Sequence, residues 1–92
     1  MMMVTEYQVK RFMTKAETAE MMAVFAEAGT GPGEIAHYVA LDGAHGWVVS
    51  DSDDAGALYA NTLKFTEWVD FKSSVVLRVD DAVPHILTAL AE

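Results

Sequence analysis

The amino-acid sequence predicts a single small α+β domain in which strands and helices alternate. Segments in which every second residue is apolar are typical of strands, and segments with apolar residues three or four positions apart are typical of helices. Both patterns occur along the chain, and turn-forming residues separate them. The 92 residues are enough for one domain, and no internal repeat, low-complexity run or linker divides them.

The first part of the chain predicts a strand followed by a helix. Residues 4–12 alternate and predict the first strand. One face of it carries Val4, Glu6, Gln8, Lys10 and Phe12, and the other carries Thr5, Tyr7, Val9 and Arg11. Thr14 and Glu17 have the spacing of a capping box, which predicts that a helix begins there. Gly29 is suited to end that helix.

A β-hairpin is predicted in the middle of the chain. Residues 35–41 form its first strand, and Asp42-Gly43 is a two-residue turn signal. This turn places Tyr38 opposite Trp47, His37 opposite Val48 and Ile35 opposite Ser50. One face then holds Ala36, Tyr38, Trp47 and Val49, and the other holds Ile35, His37, Val39, Val48 and Ser50. Because both faces are largely apolar, we expect helices to cover one and a partner's sheet to cover the other, and the His37 face is the predicted dimer or pocket surface.

The remaining elements complete a recognisable order. Residues 51–54 open a second helix with Asp51 or Ser52 as its cap, and residues 69–79 predict a fourth strand. Asp80 or Asp81 is expected to cap a last helix that has Pro84 in its first turn. The order β-α-β-β-α-β-α predicts a ferredoxin-like βαββαβ fold with a four-stranded antiparallel sheet and an added C-terminal helix.

The composition predicts a self-associating protein. The chain is 52% hydrophobic, and its net charge is −8. A small core without cysteines to cross-link it is often completed by a second copy, so a homodimer is expected. The acidity and the scattered basic residues argue against binding to nucleic acid or to an anionic membrane. Without a signal-peptide pattern or a membrane span, a cytoplasmic location is expected.

The sequence resembles a family of bacterial proteins of roughly 90 residues that is known only as a domain of unknown function. The stretches that carry the resemblance are Gly46–Val49, Asp53–Asp54, Leu58–Tyr59, Trp68–Phe71 and Val79–Asp81. The resemblance implies membership of the dimeric α/β-barrel superfamily, which includes cofactor-free monooxygenases, haem-degrading enzymes and isomerases. Where relatives carry an aromatic-His pair in the second strand, this chain has Tyr38-Val39, with the histidine two places earlier at His37.

His37 is the one candidate for catalysis. A histidine in the middle of a strand, on an apolar face, can act as a general base near neutral pH. A buried histidine that only hydrogen-bonds a neighbour is the more frequent arrangement. No spacing of His, Asp or Glu requires a metal, and no motif indicates a cofactor, so neither is expected.

A second candidate site lies on the outer strands. Glu6 and Gln8 on the first strand are expected to neighbour Lys72 and Arg78 on the fourth, because the first and last strands are adjacent in this fold. With His37, these side chains could line a pocket for an anion or a carboxylated ligand. Cross-strand ion pairs between the same residues are the alternative.

Two classes of function follow from these patterns. The first is a non-catalytic dimeric protein that binds a small molecule or serves as an accessory module. The second is a cofactor-independent monooxygenase or isomerase that acts on a small aromatic or carboxylated substrate with His37 as its base. A protein that recognises partners through its acidic surface is a third hypothesis.

Overall fold

A computed structural model describes residues 1–92 and confirms the α+β class and the order of elements. The elements are β1 (Met2–Val9), α1 (Lys15–Ala28), β2 (Glu34–Val39), β3 (His45–Asp51), α2 (Ala55–Leu63), β4 (Val69–Val76) and α3 (Val79–Ala91). The first and fourth strands are shorter than the alternation predicts. Phe12, expected at the end of the first strand, lies in a turn with a positive φ of 60°.

The four strands form one antiparallel sheet in the order β2-β3-β1-β4. The first and last strands are adjacent, as the ferredoxin-like arrangement requires. β1 is therefore central, and β2 and β4 form the edges. The side chains of β1 therefore have residues of β3 on one side and residues of β4 on the other.

The hairpin has the predicted register, with Tyr38 opposite Trp47 and His37 opposite Val48. The connection is longer than two residues, because β2 ends at Val39 and β3 begins at His45. Inside it, the Ala44 amide donates to Asp42 Oδ1 at 2.8 Å, and this bond holds the pKa of the Asp42 carboxyl below its ordinary value.

A β-bulge at Ile35 changes the start of the hairpin. Glu34 pairs with Ser50 and Ala36 pairs with Val49, so one extra residue lies in β2 between two consecutive residues of β3. The expected pairing of Ile35 with Ser50 is therefore wrong. Glu34 takes that place and joins the sheet face that carries His37.

The cap of the first helix is as predicted. The Glu17 amide donates to Thr14 Oγ1 at 3.0 Å, and the capping box is complete. Gly29 ends the helix with a positive φ of 67° and donates its amide to the Phe25 carbonyl.

The caps of the other helices differ from the prediction. Asp54 caps α2 by accepting a bond from the Ala57 amide at 2.9 Å, whereas Asp51 and Ser52 precede the cap. α3 begins after Arg78 without a side-chain cap, so Asp80 and Asp81 lie in its first turn rather than at its cap. Pro84 lies inside this helix, beyond the first turn.

The two faces of the sheet are covered differently from the prediction. Phe25 of α1 lies on the same side of the sheet as His37, with ring centroids 6.2 Å apart. Residues of α1 and α2 surround a space over the His37 face, so this face carries a pocket, and the alternative that a partner's sheet covers it is wrong. The opposite face, called here the open face, carries Val4, Glu6, Gln8, Ala36, Tyr38, Trp47, Val49 and Lys72.

The packing within one chain is sparse. Only three of the 92 residues are buried, and Trp68 is the single large apolar one, at 8% exposure. Every residue of α3 except Ala82 is exposed. The radius of gyration is 16.3 Å, compared with about 12 Å for a compact chain of this length. No helix has both the length and the apolar character needed to cross a membrane.

Candidate functional site

A cavity of about 590 Å³ lies between the sheet and helices α1 and α2. Its volume falls within the roughly 300–1,000 Å³ that is typical of small-molecule sites. The sheet side is formed by residues of all four strands, and apolar residues of the two helices form much of the roof. The Phe and Tyr side chains that line it are Tyr7, Phe25, Tyr59, Phe65 and Phe71. The interior is thus mostly apolar and aromatic.

The polar centre of this cavity is formed by Tyr7, His37 and Glu34. Tyr7 Oη and His37 Nε2 are 2.6 Å apart, and His37 Nδ1 lies 4.0 Å from Glu34 Oε1. With the proton of the neutral ring assigned to Nδ1, on the side of the Glu34 carboxylate, Nε2 accepts the bond that the Tyr7 hydroxyl donates. The two rings meet edge to face, with centroids 5.5 Å apart. This arrangement fixes a phenol and an imidazole at the floor of an apolar space.

Gly46 makes room for the Tyr7 ring. The two residues are opposite each other on β3 and β1, and Gly46 is buried. A Cβ at position 46 would overlap the ring and hydroxyl of Tyr7. The absence of a side chain on β3 therefore allows Tyr7 to lie flat across the sheet toward His37, which is two strands away.

The predicted site residues do not come together. His37 lines the cavity under the helices, whereas Glu6, Gln8 and Lys72 lie on the open face. Arg78 is the residue before α3. The pocket proposed from sequence would therefore need side chains from both faces of the sheet. Glu6 and Lys72 are direct cross-strand neighbours, yet they form no ion pair.

Tyr7, Glu34 and Gly46 are the site residues that sequence reasoning missed. Tyr7 was placed on the correct face of the first strand, but the pattern of β1 does not indicate that it crosses to His37. The sequence does contain one signal for this contact, the glycine at position 46. A glycine inside a strand often marks a place where another group comes close to the backbone, and here that group is the Tyr7 ring. No group of three or more His, Asp or Glu side chains is arranged to hold a metal ion.

The fold and the cavity define a small α+β protein with a ferredoxin-like order of elements and a ligand-sized space beneath two helices. The chain belongs to the family described as domain of unknown function DUF3303, which matches residues 1–90. The sequence resemblance to a family of unknown function is thereby confirmed, and the dimeric α/β-barrel superfamily stays a prediction. No curated protein matches the chain.

The Tyr7 phenol gives the site a predicted pH dependence. Burial raises the pKa of Tyr7, and the negative charge of Glu34 raises it further. Above about pH 10 the unfolded chain ionises this phenol while the folded protein still holds it neutral, so stability is lost as the pH rises through the folded pKa. The Tyr7→Phe variant has no phenol at this position, so its stability does not fall for this reason. We expect the stability advantage of the unmodified protein over the variant, about 1 kcal/mol at neutral pH, to shrink at alkaline pH.

Urea unfolding of both proteins at pH 8 and at pH 10.5 measures this change. The matched control is Tyr59→Phe, which removes the phenol of a residue of α2 that is 67% exposed and lies off the open face. An equal difference between the unmodified protein and Tyr7→Phe at the two pH values would contradict the assignment.

Proposed function

We propose that the protein binds a small, mostly apolar molecule in the cavity between its sheet and helices α1 and α2. The observation that carries this proposal is a space of about 590 Å³ with the hydrogen-bonded Tyr7–His37 pair on its floor. Sites for small molecules are typically apolar clefts in which a few polar groups fix the orientation of the ligand. The phenol and imidazole serve that purpose for a ligand that carries one hydrogen-bonding group.

A cavity-filling variant tests this proposal. Val48 lies on β3 next to His37 and lines the cavity, so Val48→Phe places a ring in the space a ligand would use. We expect this variant to weaken binding of the neutral fluorescent probe N-phenyl-1-naphthylamine by at least about tenfold, which is 1.4 kcal/mol. Fluorescence titration measures the dissociation constants.

The matched control is Val24→Phe, the same substitution on α1 at a position that does not line the cavity. This variant is expected to bind the probe as the unmodified protein does. Equal affinities for Val48→Phe and Val24→Phe, or failure of the unmodified protein to bind the probe, would contradict the proposal.

We also infer that two copies associate through their open faces into a homodimer, as the dimeric α/β-barrel fold implies. Tyr38 and Trp47, which are 62% and 37% exposed, form a cross-strand pair of large aromatic side chains at the middle of this face. With three buried residues, one chain alone has little core, and a second sheet would supply the missing apolar contact. The exposed apolar row of α3 is available to the same partner: Val79, Val83, Ile86, Leu87 and Leu90.

A catalytic function is the second candidate, and the Tyr7–His37 contact favours it. A phenol that donates a hydrogen bond to a histidine at 2.6 Å, beside an apolar cavity, can take a proton from a bound substrate on its oxygen while its own proton passes to His37 Nε2, so His37 acts as the base through Tyr7. This chemistry suits an isomerase or a cofactor-independent monooxygenase for aromatic substrates. Sustained turnover of a quinol or another aromatic substrate by the purified protein would favour this candidate over binding alone.

A further inference from the structure

We propose that the cavity selects a molecule with a protonated amine on an aromatic or apolar body. This inference rests on the proposed binding function and adds the charge of the ligand to it. Three features of the cavity support it: the charges of its lining, the state of the Glu34 carboxylate, and its aromatic rings.

Glu34 is the only acidic residue that lines the cavity, and no lysine or arginine lines it. The basic residues expected from sequence to receive a carboxylate, Lys72 and Arg78, lie outside it. An anionic ligand would therefore lose its hydration and meet a carboxylate without a lysine or arginine to offset that charge. A cationic ligand would meet an opposite charge in the same place.

The Glu34 carboxylate has unused capacity to accept hydrogen bonds. Its side chain is 21% exposed, and its nearest basic nitrogen is His37 Nδ1 at 4.0 Å, which is beyond hydrogen-bond distance. No side chain or amide of another helix or strand donates a hydrogen bond to the Glu34 carboxylate. A carboxylate in a partly enclosed, apolar setting interacts more strongly with a cation than one in water. An ammonium group supplies both the charge and the donors that this carboxylate lacks.

The aromatic rings of the cavity favour the same ligand. Tyr7 and Phe71 lie next to each other on β1 and β4, with ring centroids 6.3 Å apart, and Phe25 approaches from α1. Ring faces attract ammonium groups through their quadrupole, and this attraction grows when water is excluded. The same rings pack against an aromatic body. One carboxylate and several rings, with no competing lysine or arginine, thus recognise an aryl-alkyl ammonium.

Three ligands that share an indole-ethyl body and differ in terminal charge test this inference. They are tryptamine, which is cationic at pH 7, tryptophol, which is neutral, and indole-3-propionate, which is anionic. Displacement of N-phenyl-1-naphthylamine from the unmodified protein gives the three affinities. We expect tryptamine to bind at least tenfold more tightly than tryptophol, and indole-3-propionate to bind most weakly.

The Glu34→Gln variant identifies the source of the preference. It is expected to lower the affinity for tryptamine by a larger factor than it changes the affinity for tryptophol, so that the two affinities become similar. Glu20→Gln makes the same change of charge on an exposed position of α1, and it should keep the tenfold preference. This control separates Glu34 from the general attraction of a chain with a net charge of −8.

The outcomes distinguish a failure of the charge preference from a failure of the proposed binding function. If tryptophol and tryptamine displace the probe equally from the unmodified protein, the cavity binds ligands but the charge preference is wrong. A preference that survives in Glu34→Gln overturns the assignment to Glu34. If the unmodified protein binds neither the neutral probe nor any of the three indoles, the proposed binding function itself fails. The three ligands are compared on the unmodified protein, so this test does not depend on whether a variant folds.

Discussion

Replacing Gly46 with alanine is expected to destabilise the protein by about 2–4 kcal/mol and to separate Tyr7 from His37. The added methyl would overlap the Tyr7 ring, which His37 and Phe71 hold on either side. Overpacking of this kind costs about 1–3 kcal/mol, and the broken hydrogen bond adds about 1 kcal/mol. Urea unfolding gives the stability, and titration with N-phenyl-1-naphthylamine reports whether the displaced ring occupies the cavity.

Gly56→Ala is the matched control for this substitution. Gly56 lies in the first turn of α2, where an added methyl meets only the Asp54 carboxylate at an ordinary distance. Alanine is favoured over glycine in a helix by up to about 1 kcal/mol, so this variant should be as stable as the unmodified protein or more so. In a Tyr7→Ala background, Gly46→Ala should cost much less, since the ring it would strike is gone. Equal costs with and without the Tyr7 ring would contradict this explanation.

The largest expected change in assembly comes from a charge on the open face. Sedimentation equilibrium at micromolar concentration should give the unmodified protein a mass of about 20 kDa, twice the 10.0 kDa of one chain. Tyr38→Glu should reduce that mass to one chain, because an unpaired carboxylate at the centre of a buried interface costs several kcal/mol. The phenol it replaces is 62% exposed in one chain, so the substitution should have little effect on folding of the chain itself.

Leu41→Glu provides the control for this experiment. Leu41 is fully exposed in the hairpin connection and lies off the open face, so its replacement makes the same addition of charge away from the proposed interface. This variant should remain a dimer. A monomeric unmodified protein, or a loss of the dimer in both variants, would show that the open face is not the interface.

Local sequence signals predicted the parts of the fold that short-range physics determines. The Thr14–Glu17 capping box and the hairpin register of Tyr38 and Trp47 depend on residues a few positions apart, and both are present. The helix-covered face could not be chosen from sequence. Both faces of the hairpin are apolar, and alternation alone does not show which of them the helices contact.

The candidate site was predictable only in part, because it depends on contacts between distant strands. His37 was found from its place on an apolar strand face, and it lies in the cavity. Its hydrogen bond to Tyr7 spans 30 positions of sequence and requires the β3 strand between them to carry Gly46. Glu34 was missed because strict alternation turns it away from His37, and only the extra residue in β2 brings it to the same face.

The bulge at Ile35 makes the charge of the cavity depend on the register of β2 as well as on the choice of side chains. In a regular β2 strand paired in the same register, Ile35 would lie opposite Ser50 and Glu34 would turn away from the helices. The cavity would then keep its volume and its aromatic rings, and an aliphatic group would replace its only carboxylate. A related chain with the same residues but a regular β2 strand would therefore prefer uncharged ligands.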